Sequence, residues 1–137
     1  MTLPMEQSFE LVAANTGATL AEVKGLDADA RDEVRMAVIE ACNNAFEHSG
    51  DSRREVDLTF EAEDDRLVIT IGDRGRGFGK DPATLGPRQT SGGRKRGYGL
   101  RIMQAMMDHV KVVPREGGGT DIVMIKLLPK AKAKEAR

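Results

Sequence analysis

Hydrophobic and polar positions along this chain recur with two different periods, and the changes of period mark its elements. Between about Met5 and Lys24, Phe9, Val12, Ala13, Thr16 and Leu20 fall at helical spacing, which predicts a first helix. Gly25 stands where a post-helix glycine would end it, and Asp27 offers an N-cap for a second helix reaching about His48, closed by Gly50. On that second helix Val34, Val38, Ala41 and Ala45 form one apolar strip, while Met36, Ile39 and Phe46 form another on a different side. A helix apolar on two sides is expected to be covered on both, by a sheet and by its neighbour helix.

The period then shortens to two. Glu55–Glu61 (EVDLTFE) alternates polar with apolar, Asp64-Asp65 marks a tight turn, and Arg66–Ile71 (RLVITI) is the expected antiparallel partner. Gly72–Arg96 breaks the pattern with seven Gly and two Pro, and carries five Lys or Arg from Lys80 onward. A segment of that length without a period of its own is expected to be a functional lid or a disordered stretch. Gly97–Asp108 reads as a third helix with Leu100, Met103, Met106 and Met107 inward, and His109–Pro114 with Thr120–Leu128 as a final hairpin turned by Glu116–Gly119. Helices, then strands, then a helix and a hairpin predict an α+β sandwich, with helices packed on one face of a mixed, mostly antiparallel sheet.

Composition narrows the classes. At 137 residues the chain is expected to fold as one domain over 1–128, followed by a basic, solvated tail over 129–137. Acidic and basic residues nearly cancel, 22 against 21, which argues against a dedicated nucleic-acid binder. The single cysteine, Cys42, cannot form an internal disulfide and fits a reducing cytoplasm. No run approaches the roughly 20 apolar residues of a membrane span, and the N-terminus lacks the pattern of a signal peptide. A cytoplasmic protein is expected.

Three short segments carry chemistry. Glu40, Asn44 and His48 recur every four residues, forming one polar stripe on the second helix. Magnesium takes few protein oxygens alongside phosphate oxygens, so Asn44 suits a direct ligand, and Glu40 one turn earlier suits a metal-bound water or an attacking hydroxyl. Asn43 points about 100° away. Asp73-x-Gly75-x-Gly77-Phe78 follows a strand directly, so the carboxylate can accept from an adenine amine while the glycines admit the base. Gly97-Tyr98-Gly99-Leu100 enters a helix and offers backbone N–H groups to phosphate, with Arg94, Lys95 and Arg96 just ahead of it. Thr120, after Gly119, adds a hydroxyl at the start of the last strand. Each segment alone has an ordinary reading as an exposed helix face, a turn, a solvated loop or a packed threonine.

Their order does not. An Asn-box helix, a DxGxG box, a lid, a GxG box opening a helix and a Gly-Thr strand follow one another from about Asp27 to Leu128, and this order resembles the GHKL ATPases. The resemblance implies the GHKL sandwich, with ATP and Mg²⁺ as cofactors. By it Glu40 is expected as the catalytic base, Asn44 as the metal ligand and Asp73 as the adenine contact. Gly75, Gly77, Phe78, Gly97, Tyr98, Gly99, Leu100, Thr120 and His48 would line the pocket, Arg94, Lys95 and Arg96 would hold the triphosphate, and residues 79–96 would be the lid.

Among GHKL groups, the small size and the segments VIEACNNAFEH and GLRIMQAMMDHVKV are similar to the anti-sigma factor serine kinases of bacteria. That resemblance implies a kinase for a serine on a small anti-anti-sigma (STAS-type) protein, a sigma factor as second partner, and a homodimer with the first helix in the contact. It implies no direct nucleic-acid or membrane contact. A non-catalytic ATP-dependent switch and a stressosome-type serine kinase are the alternatives. The family usually starts with a strand before its first helix, and only Met1–Pro4 is left for it here. A very short strand or a later helix start is therefore expected.

Overall fold

In a computed structural model of the chain, residues 1–48, 55–73, 98–115 and 118–130 are described. The element order is β1 (Thr2–Pro4), α1 (Phe9–Val23), α2 (Ala28–His48), β2 (Glu55–Ala62), β3 (Arg66–Asp73), α3 (Tyr98–Met106), β4 (His109–Pro114) and β5 (Thr120–Leu127). The strands form one sheet in the order β1-β2-β3-β5-β4. Every pairing is antiparallel, the limiting form of the mostly antiparallel sheet expected from the sequence. Leu128, just past β5, is buried, and its N–H donates to the Asp65 carbonyl at 2.9 Å.

Both parts of the expectation for the N-terminus are realised. The first strand exists and is only three residues long, and α1 starts at Phe9 rather than Met5. Leu3 pairs with Val56, and the Met1 ammonium donates to the Leu58 carbonyl at 2.8 Å, so the chain end is tied into the sheet.

The helical hairpin is set by the signals read above. Leu26 N–H donates to the Ala21 carbonyl and Gly25 N–H to that of Glu22, each at 3.0 Å, with Gly25 at φ 90°. That pair of bonds is a Schellman ending, which requires a residue at ease with positive φ. Asp27 then caps α2, its Oδ1 accepting from Ala30 N–H at 2.9 Å.

The inward face of α1 is partly the expected one: Ala13 is buried and Phe9 and Leu20 pack against the core, but Val12 does not. Ala13, Ala14, Gly17, Ala18 and Ala21 are buried, whereas Leu11 and Val12 are each 47% exposed. The cause is distance: a Cβ on Gly17 would lie 3.3 Å from Val34 Cγ1, 3.5 Å from Val38 Cγ2 and 3.5 Å from Ile69 Cδ1. With α2 and the sheet this close, only small residues fit between. The expected strip on α2 does face inward, with Val34, Val38 and Ala41 wholly buried and Ala45 nearly so, while Met36 is 48% exposed. Beneath the helices lie Leu67, Ile69, Ile71, Ile122 and Met124. Removing each of these large side chains from water contributes roughly 1.5–3 kcal/mol.

Candidate active site

The site is built by where the helices are anchored. The Lys126 ammonium, on the buried row of β5, donates to the Met106 carbonyl at the C-terminal end of α3 at 2.5 Å. It also pairs with Glu33, in the first half of α2, at 3.5 Å. Lys126 sits opposite Leu67, near the start of β3. Both helices are thus pinned to the same end of the sheet.

From that anchor the elements travel to the opposite end together. Glu40 and Asn44 lie about 10 and 16 Å further along α2, at about 1.5 Å per residue. Asp73 lies about 20 Å further along β3, at about 3.3 Å per residue. The first turn of α3, with Tyr98 and Gly99, lies about 12 Å from its anchored end. Asp73 is paired with Thr120 across the β3–β5 ladder. The Asn-box helix, the Asp and Gly-Thr strands and the start of the Gly-x-Gly helix therefore run from the Lys126 anchor toward the same end of the sheet.

Several local features shape this end. Thr120 is buried at 6% exposure, and Gly118 and Gly119 before it take φ of 110° and 92°, closing the turn from β4. Asp121 turns to the other face, where it pairs with Arg115 at 3.3 Å. A Cβ on Gly72 would sit 2.2 Å from Asp121 Oδ1, so a side chain before Asp73 would have to displace this ion pair. Gly99 is buried, and Leu100 packs against the core.

Glu40 and Asn44 are half-buried, and Glu40 interacts with neighbouring groups. Its Oε2 is sequestered from solvent. A half-buried carboxylate at this position is able to accept from a hydroxyl or a metal-bound water. With an amide oxygen one turn along, this donor set fits a hard cation that keeps water and phosphate ligands. The expected positions of Gly75, Gly77, Phe78, Arg94, Lys95, Arg96 and Gly97, and the 79–96 lid, lie outside the described residues, as do the side chains of His48, Asp73 and Tyr98.

Sequence reasoning missed Lys126. The signal was present: Thr120, Ile122, Met124 and Lys126 form one alternating row, and a lysine ending a core row needs buried acceptors. A separate cleft of about 320 Å³ between the outer faces of α1 and α2 is lined by Asn15, Thr19, Arg31 and Arg35. Its arginines are already engaged by Glu22 and Asp32, and it contains none of the site residues.

Comparison with known proteins agrees with this arrangement. Residues 6–126 match the family model described as a histidine kinase-like ATPase domain. Serine-protein kinase RsbW of Halalkalibacterium halodurans is 31% identical over 134 residues, spanning 93% of this chain and 82% of that one. The anti-sigma F factor of Clostridium acetobutylicum is 35% identical over 98 residues, 69% of this chain and 68% of that one. In fold, the chain is similar to the crystal structure of the RsbU and RsbW domains of Rv1364c from Mycobacterium tuberculosis. The TM-score is 0.62 at 20% identity, covering 93% of this chain and 31% of that one. The chain belongs to the histidine kinase-like ATPase family, alongside serine-protein kinase RsbW and the anti-sigma F factor.

Proposed function

We propose that this protein is an ATP-dependent serine-protein kinase that also acts as an anti-sigma factor. In this reading it transfers the ATP γ-phosphoryl group to a serine of a small anti-anti-sigma (STAS-type) protein and sequesters a sigma factor. Partner exchange between the two then regulates transcription. What supports the reading is that α2 past its Glu33 anchor and β3 up to the Asp73–Thr120 pair run from one shared anchor, Lys126, toward the same end of the sheet. The names of the relatives supply the class of acceptor.

Phosphoryl transfer needs positioning and neutralisation of charge more than covalent help from the protein. Asp73 accepts a hydrogen bond from the adenine amine, and Thr120 lies across the ladder to support that end of the base. Asn44 would hold Mg²⁺, which when bound would supply charge neutralisation at the transferring group. Backbone N–H groups of Gly97 and Gly99 and the positive end of α3 face the phosphates, with Arg94, Lys95 and Arg96 in support. Gly75, Gly77, Phe78, Tyr98, Leu100 and His48 complete the pocket, and residues 79–96 form its lid. Glu40 orients the serine hydroxyl and accepts its proton as the oxygen attacks. The working unit is a cytoplasmic homodimer, each chain a single domain over 1–128 with a basic tail.

The test is transfer of label from γ-labelled Mg-ATP in a lysate of the source organism, with wild type and Glu40→Ala side by side. A small protein labelled on serine by wild type alone is the expected result. Labelling that survives Glu40→Ala would remove Glu40 from the role of base. Nucleotide binding with no labelled protein would leave a non-catalytic ATP-gated switch.

A further inference from the structure

The face of the sheet turned away from the helices carries an ion pair beside the Asp73–Thr120 ladder end, and no step of the phosphoryl transfer described above uses it. Strand register puts Asp57, Gly72, Asp121 and Val113 in one row across β2, β3, β5 and β4. The next row pairs Asp73 with Thr120 and Thr120 with Pro114. Arg115 follows Pro114 and reaches back over the first of these rows, its Nε 3.3 Å from Asp121 Oδ1. A Cβ on Gly72 would lie 3.0 Å from Arg115 Nη1 and 3.3 Å from its Cζ, so the guanidinium lies close against the Gly72 backbone. It fits there because residue 72 has no side chain.

The same residue closes the turn into β5. Pro114, opposite Thr120, has no N–H to give to the ladder. The next donor along is the Arg115 N–H, which binds the Gly119 carbonyl at 3.0 Å, while the Arg115 carbonyl accepts from Gly118 N–H at 3.2 Å. Gly118 and Gly119 both hold positive φ, and glycine left to itself has many other conformations open to it. These bonds therefore set where Thr120 begins. Arg115 holds both residues that flank Thr120, Gly119 through its backbone and Asp121 through its side chain, and it touches Gly72, which precedes Asp73.

We propose that Arg115 is a positioning residue for the base-binding end of the site, clamping Gly72 and Asp121 from the outer face so that Asp73 and Thr120 are held in place for the adenine. The inference rests on the assignment of the base to Asp73 in the reading above and is independent of the phosphoryl acceptor. The ion pair is 30% and 31% exposed, so its direct contribution to stability is small. Its effect is on geometry, and the consequence is selectivity. Adenine offers an amine to a carboxylate, whereas guanine presents a carbonyl oxygen at the same ring position. A carboxylate held in place accepts from the first and opposes the second. One free to shift by about an ångström loses much of that discrimination.

The experiment measures the affinity of the full chain for Mg-ATP and for Mg-GTP by titration calorimetry, in wild type, Arg115→Ala and Gly72→Ala. Wild type is expected to prefer ATP. Arg115→Ala should bring the ratio of GTP Kd to ATP Kd down about tenfold, through weaker ATP binding with GTP binding little changed. Gly72→Ala keeps both charged groups and displaces them, so it should lower the ratio in the same direction. That variant decides the matter if Arg115→Ala fails to fold. A merely structural role would weaken both nucleotides together. An unchanged ratio in the folded variants, beside a wild type that prefers ATP, overturns the proposal and leaves Asp73 as the adenine contact. A wild type that binds ATP and GTP equally, or neither, overturns the assignment of the base to Asp73 and the proposal with it.

Discussion

Asp73 and Thr120 are direct cross-strand partners, one ending β3 and the other opening β5. They stand 47 positions apart in sequence and are brought together because β5 inserts next to β3 while β4 is displaced to the edge. Two residues that each look like ordinary strand-end residues thus become neighbours at one end of the sheet. If Asp73 accepts from the adenine amine, Asp73→Asn removes a charge-assisted acceptor worth roughly 1.5–3 kcal/mol. ATP affinity should then fall about 10- to 100-fold by titration calorimetry, with the melting temperature little changed. Thr120→Val should cost less, about three- to tenfold. Equal affinity in Asp73→Asn and wild type would take the base away from this strand pair.

The narrow gap at Gly17 makes a second prediction. Gly17→Ala meets Val34 at 3.3 Å, and the helix-propensity gain of up to ~1 kcal/mol offsets much of that crowding. Gly17→Leu has no such compensation and should lose about 1–3 kcal/mol or more in denaturant unfolding. A neutral Gly17→Leu would mean that α1 can lift off the sheet.

How much of this could be read from the chain depended on how local each cause was. Asp27, Gly25 and the alternation of Glu55–Glu61 act through their immediate neighbours, and the structure places each as the sequence suggested. On α1, Phe9, Ala13 and Leu20 face the core as expected, but Val12, expected there because large apolar residues dominate a periodicity count, does not. Close packing instead selected Ala13, Ala14, Gly17, Ala18 and Ala21. A three-residue strand at Thr2–Pro4 has no period to detect. The motifs of the site were legible as short strings in order. The Asp73–Thr120 pairing and the Lys126 anchor were not, because both depend on which strands become neighbours.

Lys126 ties β5 to the end of α3 and to Glu33. Lys126→Met keeps the bulk of the side chain but leaves the Met106 carbonyl without this donor, at a cost of roughly 1–3 kcal/mol. Thermal unfolding should move down by several degrees. If the other end of α3 faces the nucleotide as proposed, weaker ATP binding should accompany the loss and should not appear in an equally destabilised Gly17→Leu. Matching affinities in the two variants would confine Lys126 to stability.

Cys42 is wholly buried, and burial first, then the Glu10 carboxylate, pushes its thiol up from 9.0 to about 12. The folded state therefore holds this proton more tightly than the unfolded chain does. Its contribution to stability is complete below pH 9 and is lost as pH rises from there through about 12. Native protein at pH 8 should resist iodoacetamide over hours, while protein in denaturant reacts within minutes, since the thiolate is the nucleophile. Cys42→Ala should flatten the fall of the unfolding free energy between pH 9 and 11. A wild-type curve that matches the alanine variant across that range would show that the thiol already ionises in the folded protein.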